Sequence, residues 1–271
     1  MTRYRLLALD MDGTLLNSHK KVSPKTATAL AELAERGVPI AFCTGRNIAE
    51  LEPYLGDLTF VRYGVLVSGA LVRDLVTGEI VASWPHDTPT ALDIVETGFL
   101  EDAMVHVLAV NESFVSQRDL SRLEDVHMGV YRPLYEEHAK HVSDIRDAIN
   151  ACDGEVLKVN LYHLSPESRE RSRARLADHA ITLSDAETTS LECSPLGVSK
   201  ARGLLALCER IGCTLDDVVM VGDAENDLEA LQAVGMPVAM GNAVPEVART
   251  AKLQVADCDH DGVAEVVRRL F

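Results

Sequence analysis

The chain has no long apolar run. Hydrophobic residues make up 47% of it, yet no stretch approaches the roughly 20 residues that a membrane helix needs. Leu6 to Leu9 ends at Asp10, too short for the core of a secretory signal. Basic charge is also scarce: 26 Lys and Arg stand against 42 Asp and Glu, a formal net charge of -16. A general nucleic-acid binder needs a basic footprint, so that class is excluded, while a local basic site for an anionic substrate is not. The 6 cysteines (Cys43, Cys152, Cys193, Cys208, Cys213 and Cys258) are scattered, with no C-x-x-C pair to make a thiolate zinc site. They read as reduced thiols, and a cytoplasmic location is expected. No internal repeat, low-complexity tract or long linker interrupts the 271 residues, enough for one large or two modest domains with a substantial core.

What is present is organised around Leu6-Leu7-Ala8-Leu9-Asp10-Met11-Asp12-Gly13-Thr14. A short apolar run reads as a buried strand. It stops at an aspartate, and a second follows two residues later. A carboxylate buried alone is costly, but the C-terminal strand ends of open α/β sheets are where ligands bind. By themselves these residues also suit a polar strand-end turn, or a cation-binding loop without chemistry.

The pattern then alternates. Ser23-Pro24 starts a helix that Gly37 ends. Val38 to Phe42 is a strand before Cys43-Thr44-Gly45-Arg46, Asn47 caps a helix to Leu55, and Gly64 to Val67 is a strand before Ser68-Gly69-Ala70. Strands alternating with helices predict a mainly parallel, doubly wound sheet. From Leu71 the pattern changes. A hairpin turns at Thr77-Gly78. Helices are expected at 88–100, 136–150 and 165–179, and strands at 104–110, 114–115 and 156–164. Residues 181–192 are expected to be extended. Alternation returns at Ser194, with a helix from Val198 to Ile211, a strand at 218–221 before Gly222-Asp223, a helix from Asn226 and a strand from Pro237. The expected organisation is an α/β core made from 1–81 and 192–271, with an α+β domain inserted at 82–191.

Parallel strands share one C-terminal edge, so Asp10 and Asp12 would meet Asp223 and Asp227. Several carboxylates in one cleft repel each other unless a cation joins them, and an all-oxygen set suggests Mg²⁺. Thr44-Gly45 ahead of a helix can hold a phosphate, and Lys200 can neutralise it. Such a set suits phosphoryl transfer through an aspartyl-phosphate. Each piece has a plainer reading: a strand-to-helix turn at Thr44-Gly45, a solvated Lys200, and helix capping at Asp223 to Asp227.

In this order the segments Asp10-Met11-Asp12-Gly13-Thr14, Thr44 in Cys43-Thr44-Gly45-Arg46, Lys200 in Gly197-Val198-Ser199-Lys200, and Gly222-Asp223-Ala224-Glu225-Asn226-Asp227 resemble the haloacid dehalogenase (HAD) superfamily. The resemblance is to its Cof-type phosphohydrolases with a type-IIB cap, and it covers the core, while in the inserted part only the layout is similar. It implies a HAD-like, Rossmannoid core and a Mg²⁺-dependent phosphatase acting on small phosphomonoesters, sugar phosphates or phosphorylated cofactors. It implies further that Asp10 attacks phosphorus and binds the metal. Asp12 serves as acid and then base, and its carbonyl is a metal ligand. Thr44, Gly45 and Lys200 hold the phosphoryl group, and Asn226 contacts the substrate on its phosphate side. Asp223 ligates the metal, and Asp227 joins that site directly, through water or through Lys200. Ser68, Ala201 and Ala224 depart from common residues of that branch. A phosphomutase, in which Asp12 returns the phosphoryl group to a sugar, and a phospho-acceptor signalling domain are the alternatives. In the inserted part, His106, His127, Tyr131, Lys158 and Asn160 are candidate substrate contacts, and the arginines from Arg169 to Arg175 read as a solvated helix face.

Overall fold

The computed structural model describes residues 4–152, 154–185 and 189–271. Among these, fourteen strands form two sheets. In chain order they are β1 Leu6–Leu9, β2 Ile40–Cys43, β3 Tyr63–Leu66, β4 Leu71–Asp74, β5 Ile80–Ser83, β6 Met104–Ala109, β7 Ser113–Ser116, β8 Lys140–Val142, β9 Val156–Tyr162, β10 Ile181–Asp185, β11 Ser190–Pro195, β12 Val218–Gly222, β13 Met236–Ala239 and β14 Leu253–Gln254. Residues 1–45, 54–82 and 199–271 form one compact unit; 46–53 and 83–198 form another.

The first unit carries an eight-stranded sheet in the order β14-β13-β12-β1-β2-β3-β4-β5. Its central strands are parallel, and β4 returns antiparallel to β3. The sequences Leu-Leu-Ala-Leu of β1, Ile-Ala-Phe-Cys of β2 and Val-Val-Met-Val-Gly of β12 are buried at every position. Continuous apolar strands are what a sheet covered on both faces requires. The helix Pro24–Glu35 starts where expected: the Thr26 N–H donates to Ser23 Oγ at 3.1 Å, and proline takes the first turn. The decisive pairing is long-range. Leu9 lies opposite Val221 of β12 on one side and Phe42 of β2 on the other.

The second unit carries a six-stranded sheet, β10-β11-β9-β6-β7-β8, antiparallel except for β7 and β8. One face is apolar: Val105, Val107, Val159, Leu161, Leu191 and Cys193 cluster with Ile94, Val95, Ile149 and Leu176. Alternation places His106, Asn160 and Glu192 in register on the opposite face.

One expectation needs correction. The single helix over 136–150 is instead a helix Arg132–His138, then β8, then a helix Ile145–Ala151. Asp144 breaks the run by accepting from the Arg146 N–H at 2.9 Å, and β8 takes a place beside β7 that helical periodicity could not reveal. The extended stretch 181–192 is two antiparallel strands; its residues 186–188 lie outside the described residues. The expected junction between 191 and 192 falls inside β11, and the compact units divide after Val198. Among the described residues no helix is long and apolar enough to cross a membrane.

Candidate active site

Asp10 follows β1 and Asp223 follows β12. Because these strands are adjacent and parallel, both aspartates leave the same edge; the Asp10 N–H still donates to the Val221 carbonyl at 3.0 Å. Side-chain oxygens of Asp10, Asp223 and Asp227 all lie within 4.8 Å of one another. Lys200, the first residue of the helix Lys200–Ile211, projects into this group. Its Nζ donates to Asp10 Oδ1 at 2.7 Å and to Asp227 Oδ1 at 2.6 Å. Asp227 is fully buried, and its Oδ2 accepts from the N–H groups of Asp223 at 3.0 Å and Ala224 at 3.2 Å.

Asp223 is held from both sides. Thr14 Oγ1 donates to its Oδ1 at 2.8 Å, and Asn242 Nδ2 donates to its Oδ2 at 3.2 Å. Gly13 has φ +81°, and a Cβ there would collide with the Asp223 carboxylate. Only glycine lets the first loop turn this closely beside the second acid.

Burial pushes the Asp10 carboxyl up to about 8, against the pull of the Lys200 ammonium; Asp227 and Asp223 add to the rise. Asp223 is pushed up to about 6, again mainly by burial, with the Thr14 hydrogen bond opposing. Lys200 is pulled down by burial, but Asp10 and Asp227 outweigh this and hold it charged well above its ordinary range. One ammonium therefore faces three carboxylates. The excess negative charge is what a divalent cation would neutralise. The donor set is all oxygen, the kind that Mg²⁺ takes. The residues fit a hard, oxygen-liganded cation.

Thr44 extends the β2–β3 pairing by one step, its N–H donating to the Val65 carbonyl at 2.9 Å, and it is buried. A family model described as haloacid dehalogenase-like hydrolase matches residues 7–267. The chain belongs to this family of hydrolases. It is 27% identical over 274 residues to YxeH of Bacillus subtilis, named as a candidate phosphatase, and the match covers 98% of each chain. Among solved structures, a haloacid dehalogenase-like hydrolase from B. subtilis superposes with a TM-score of 0.87 at 24% identity, over 98% of this chain and 100% of that one. A HAD subclass IIB sugar phosphatase superposes with a TM-score of 0.82 at 20% identity, over 97% and 98%. At these identities the superpositions speak for the fold.

In this HAD-like hydrolase, not every expected site residue joins the cluster. The Asp12 side chain is outside it; it is partly exposed and paired with Lys20 Nζ at 2.6 Å. Asn226 is exposed on the turn Glu225–Asp227, and Gly45 is partly exposed. The arginine run is neutralised at the surface: Arg171 Nε donates to Glu101 at 2.7 Å, not to Glu167 one turn away, and Arg169 and Arg173 pair with Glu170 and Asp185. Lys158 is buried against Glu192 at 3.1 Å in the inserted unit. The bracket around Asp223 was missed as such. Its signal was a fifth strand end, Met240-Gly241-Asn242 after β13, with a polar side chain aimed at the shared edge.

Proposed function

We propose that this hydrolase is a Mg²⁺-dependent phosphatase of small phosphomonoesters that works through an aspartyl-phosphate. The observation that carries the reading is the convergence of Asp10, Asp223, Asp227 and Lys200 at two neighbouring strand ends. Asp10 Oδ1 is engaged by Lys200, while Oδ2 has no hydrogen-bond partner among the described residues. Oδ2 attacks phosphorus as the bond to the leaving oxygen breaks. Asp12 gives that oxygen its proton. It then takes a proton from water, whose oxygen attacks the phosphorus and releases phosphate with Asp10 restored. Lys200 and Thr44 orient the phosphoryl group, and the Lys200 ammonium balances charge that builds on its oxygens.

Asp10 and Asp223, with the Asp12 carbonyl, would hold the Mg²⁺, which would polarise the phosphoryl oxygens. Asp227 would act through Lys200 and the backbone of Asp223, its observed partners. Sugar phosphates are the first substrates to test, with flavin mononucleotide and pyridoxal phosphate behind them. Six free cysteines suit a reducing, cytoplasmic setting.

Phosphate release should be measured over a panel of sugar phosphates, phosphorylated cofactors and p-nitrophenyl phosphate. Activity is expected to disappear on chelation and return with Mg²⁺; undiminished turnover after exhaustive chelation would refute the metal. Asn242→Ala removes the hydrogen bond to Asp223, the bond to the Gly13 carbonyl at 2.8 Å and the acceptor of the Cys258 N–H at 3.1 Å. Loss of such an outer partner is expected to raise the Mg²⁺ concentration for half-maximal activity about tenfold or more. An unchanged Mg²⁺ titration would show that Asp223 needs no such support.

A further inference from the structure

Three consecutive residues after β3 have left-handed backbones: Val67 at φ 50°, Ser68 at φ 54° and Gly69 at φ 98°. For a β-branched residue this is a genuine outlier, and Val67 is fully buried. Such strain persists only where the surroundings over-determine it. The surroundings here are two groups of the candidate site. The Ser68 N–H donates to the Thr44 carbonyl at 3.0 Å. Gly69 meets the Ser199 carbonyl so closely that a Cβ would overlap it, and Ser199 caps the helix whose first residue is Lys200. One turn into that helix, Gly203 completes the contact: a Cβ there would lie 2.5 Å from Val65 Cγ1 and 3.1 Å from Gly69 Cα. Glycine in a helix interior is unfavourable relative to alanine, so its presence marks a close approach.

We propose that the left-handed corner Val67–Gly69 and Gly203 together position Lys200. They set how near the helix Lys200–Ile211 approaches β3, and so bring the ammonium within reach of both Asp10 and Asp227. The same corner ties that helix to Thr44, so the two groups assigned to the phosphoryl oxygens share one support. These are positioning residues. The proposal rests on the phosphatase reading for its kinetic consequence, though not for its geometric one.

The test is Gly203→Ala. Alanine favours the helix, but its methyl group would stand 2.5 Å from Val65 Cγ1 and 3.1 Å from Gly69 Cα, so the helix is expected to move outward. The expected result is a fall in kcat on p-nitrophenyl phosphate of about ten- to a hundredfold, the scale of a 1 Å misplacement. Val65→Ala added to Gly203→Ala should recover most of it. In a Lys200→Met background, Gly203→Ala should add less than about twofold, because the group it acts through is gone. A purely structural role would lower kcat by the same factor in both backgrounds, and that result would overturn the proposal. A crystal structure of Gly203→Ala should show Lys200 Nζ beyond hydrogen-bond reach of Asp10 or Asp227; unchanged distances would also overturn it. That measurement stands even if the wild-type protein hydrolyses no phosphomonoester. Should Gly203→Ala fail to fold, Val65→Ile decides: it adds one methyl group to the β3 side of the same contact while keeping a β-branched strand residue, so kcat should fall and Lys200 Nζ should draw away from Asp10 or Asp227. An unchanged kcat there would refute the contact's role.

Discussion

Asp10→Asn is expected to cut phosphate release by about 10⁴-fold or more, the scale seen when a covalent nucleophile is removed. The substitution keeps size and shape. The amide oxygen still accepts from Lys200, while the amide nitrogen is not a nucleophile at neutral pH. Folding should not suffer. Asp10 is 6% exposed, and burial already pushes its carboxyl toward the protonated form, so removing the charge relieves a cost. Loss of turnover with an equal or higher Tm therefore separates chemistry from folding. Initial rates and thermal melts on the same samples would check it. A variant that keeps a tenth of wild-type turnover would rule out nucleophilic attack by Asp10.

Lys200→Met has the second largest expected effect, and it acts on both activity and stability. The Lys200 side chain is 1% exposed and stands between two carboxylates at 2.7 and 2.6 Å. Removing one partner of a buried ion pair costs about 3–5 kcal/mol, because the remaining charge is left uncompensated. Here two carboxylates lose their shared cation. Tm should fall markedly, and Mg²⁺ should restore more of it than in the wild-type protein, since the metal then carries a larger share of the neutralisation. A fall in kcat/KM of about 10²–10³ is expected from the loss of one charged group aimed at the phosphoryl oxygens. Lys200→Arg should not rescue it, because a planar guanidinium does not fit a space shaped for a point charge. Denaturant melts with and without Mg²⁺, alongside kinetics, would decide. An Arg variant with wild-type rates would contradict the packing argument.

The two variants probe residues that were legible at different levels. Asp10 could be picked out locally, because an apolar run ending in a carboxylate is unusual without a ligand nearby. Lys200 could be singled out only by its place among the other segments; nothing in Gly197-Val198-Ser199-Lys200 says that its ammonium is buried. The helix over 136–150 failed for the opposite reason. Its residues have acceptable helix propensity, but β8 is stabilised by β7, a partner remote in the chain. Asp12 and Asn226 differ again. Both lie in recognisable segments, yet side-chain direction at a loop depends on partners such as Lys20 that spacing does not specify.

Local pattern alone established the order of most elements, the split into an alternating α/β part and an inserted α+β part, and the stock of carboxylates at strand ends. These follow from periodicity, capping and turn chemistry, which act over a few residues. Which acids meet was decided in three dimensions, by β1 pairing with β12 and by a helix held against β3 through Gly69 and Gly203. Electrostatics explains why that step matters: carboxylates spread along a chain are ordinary solvated charges, and only when brought together out of water do they demand an ammonium and a cation.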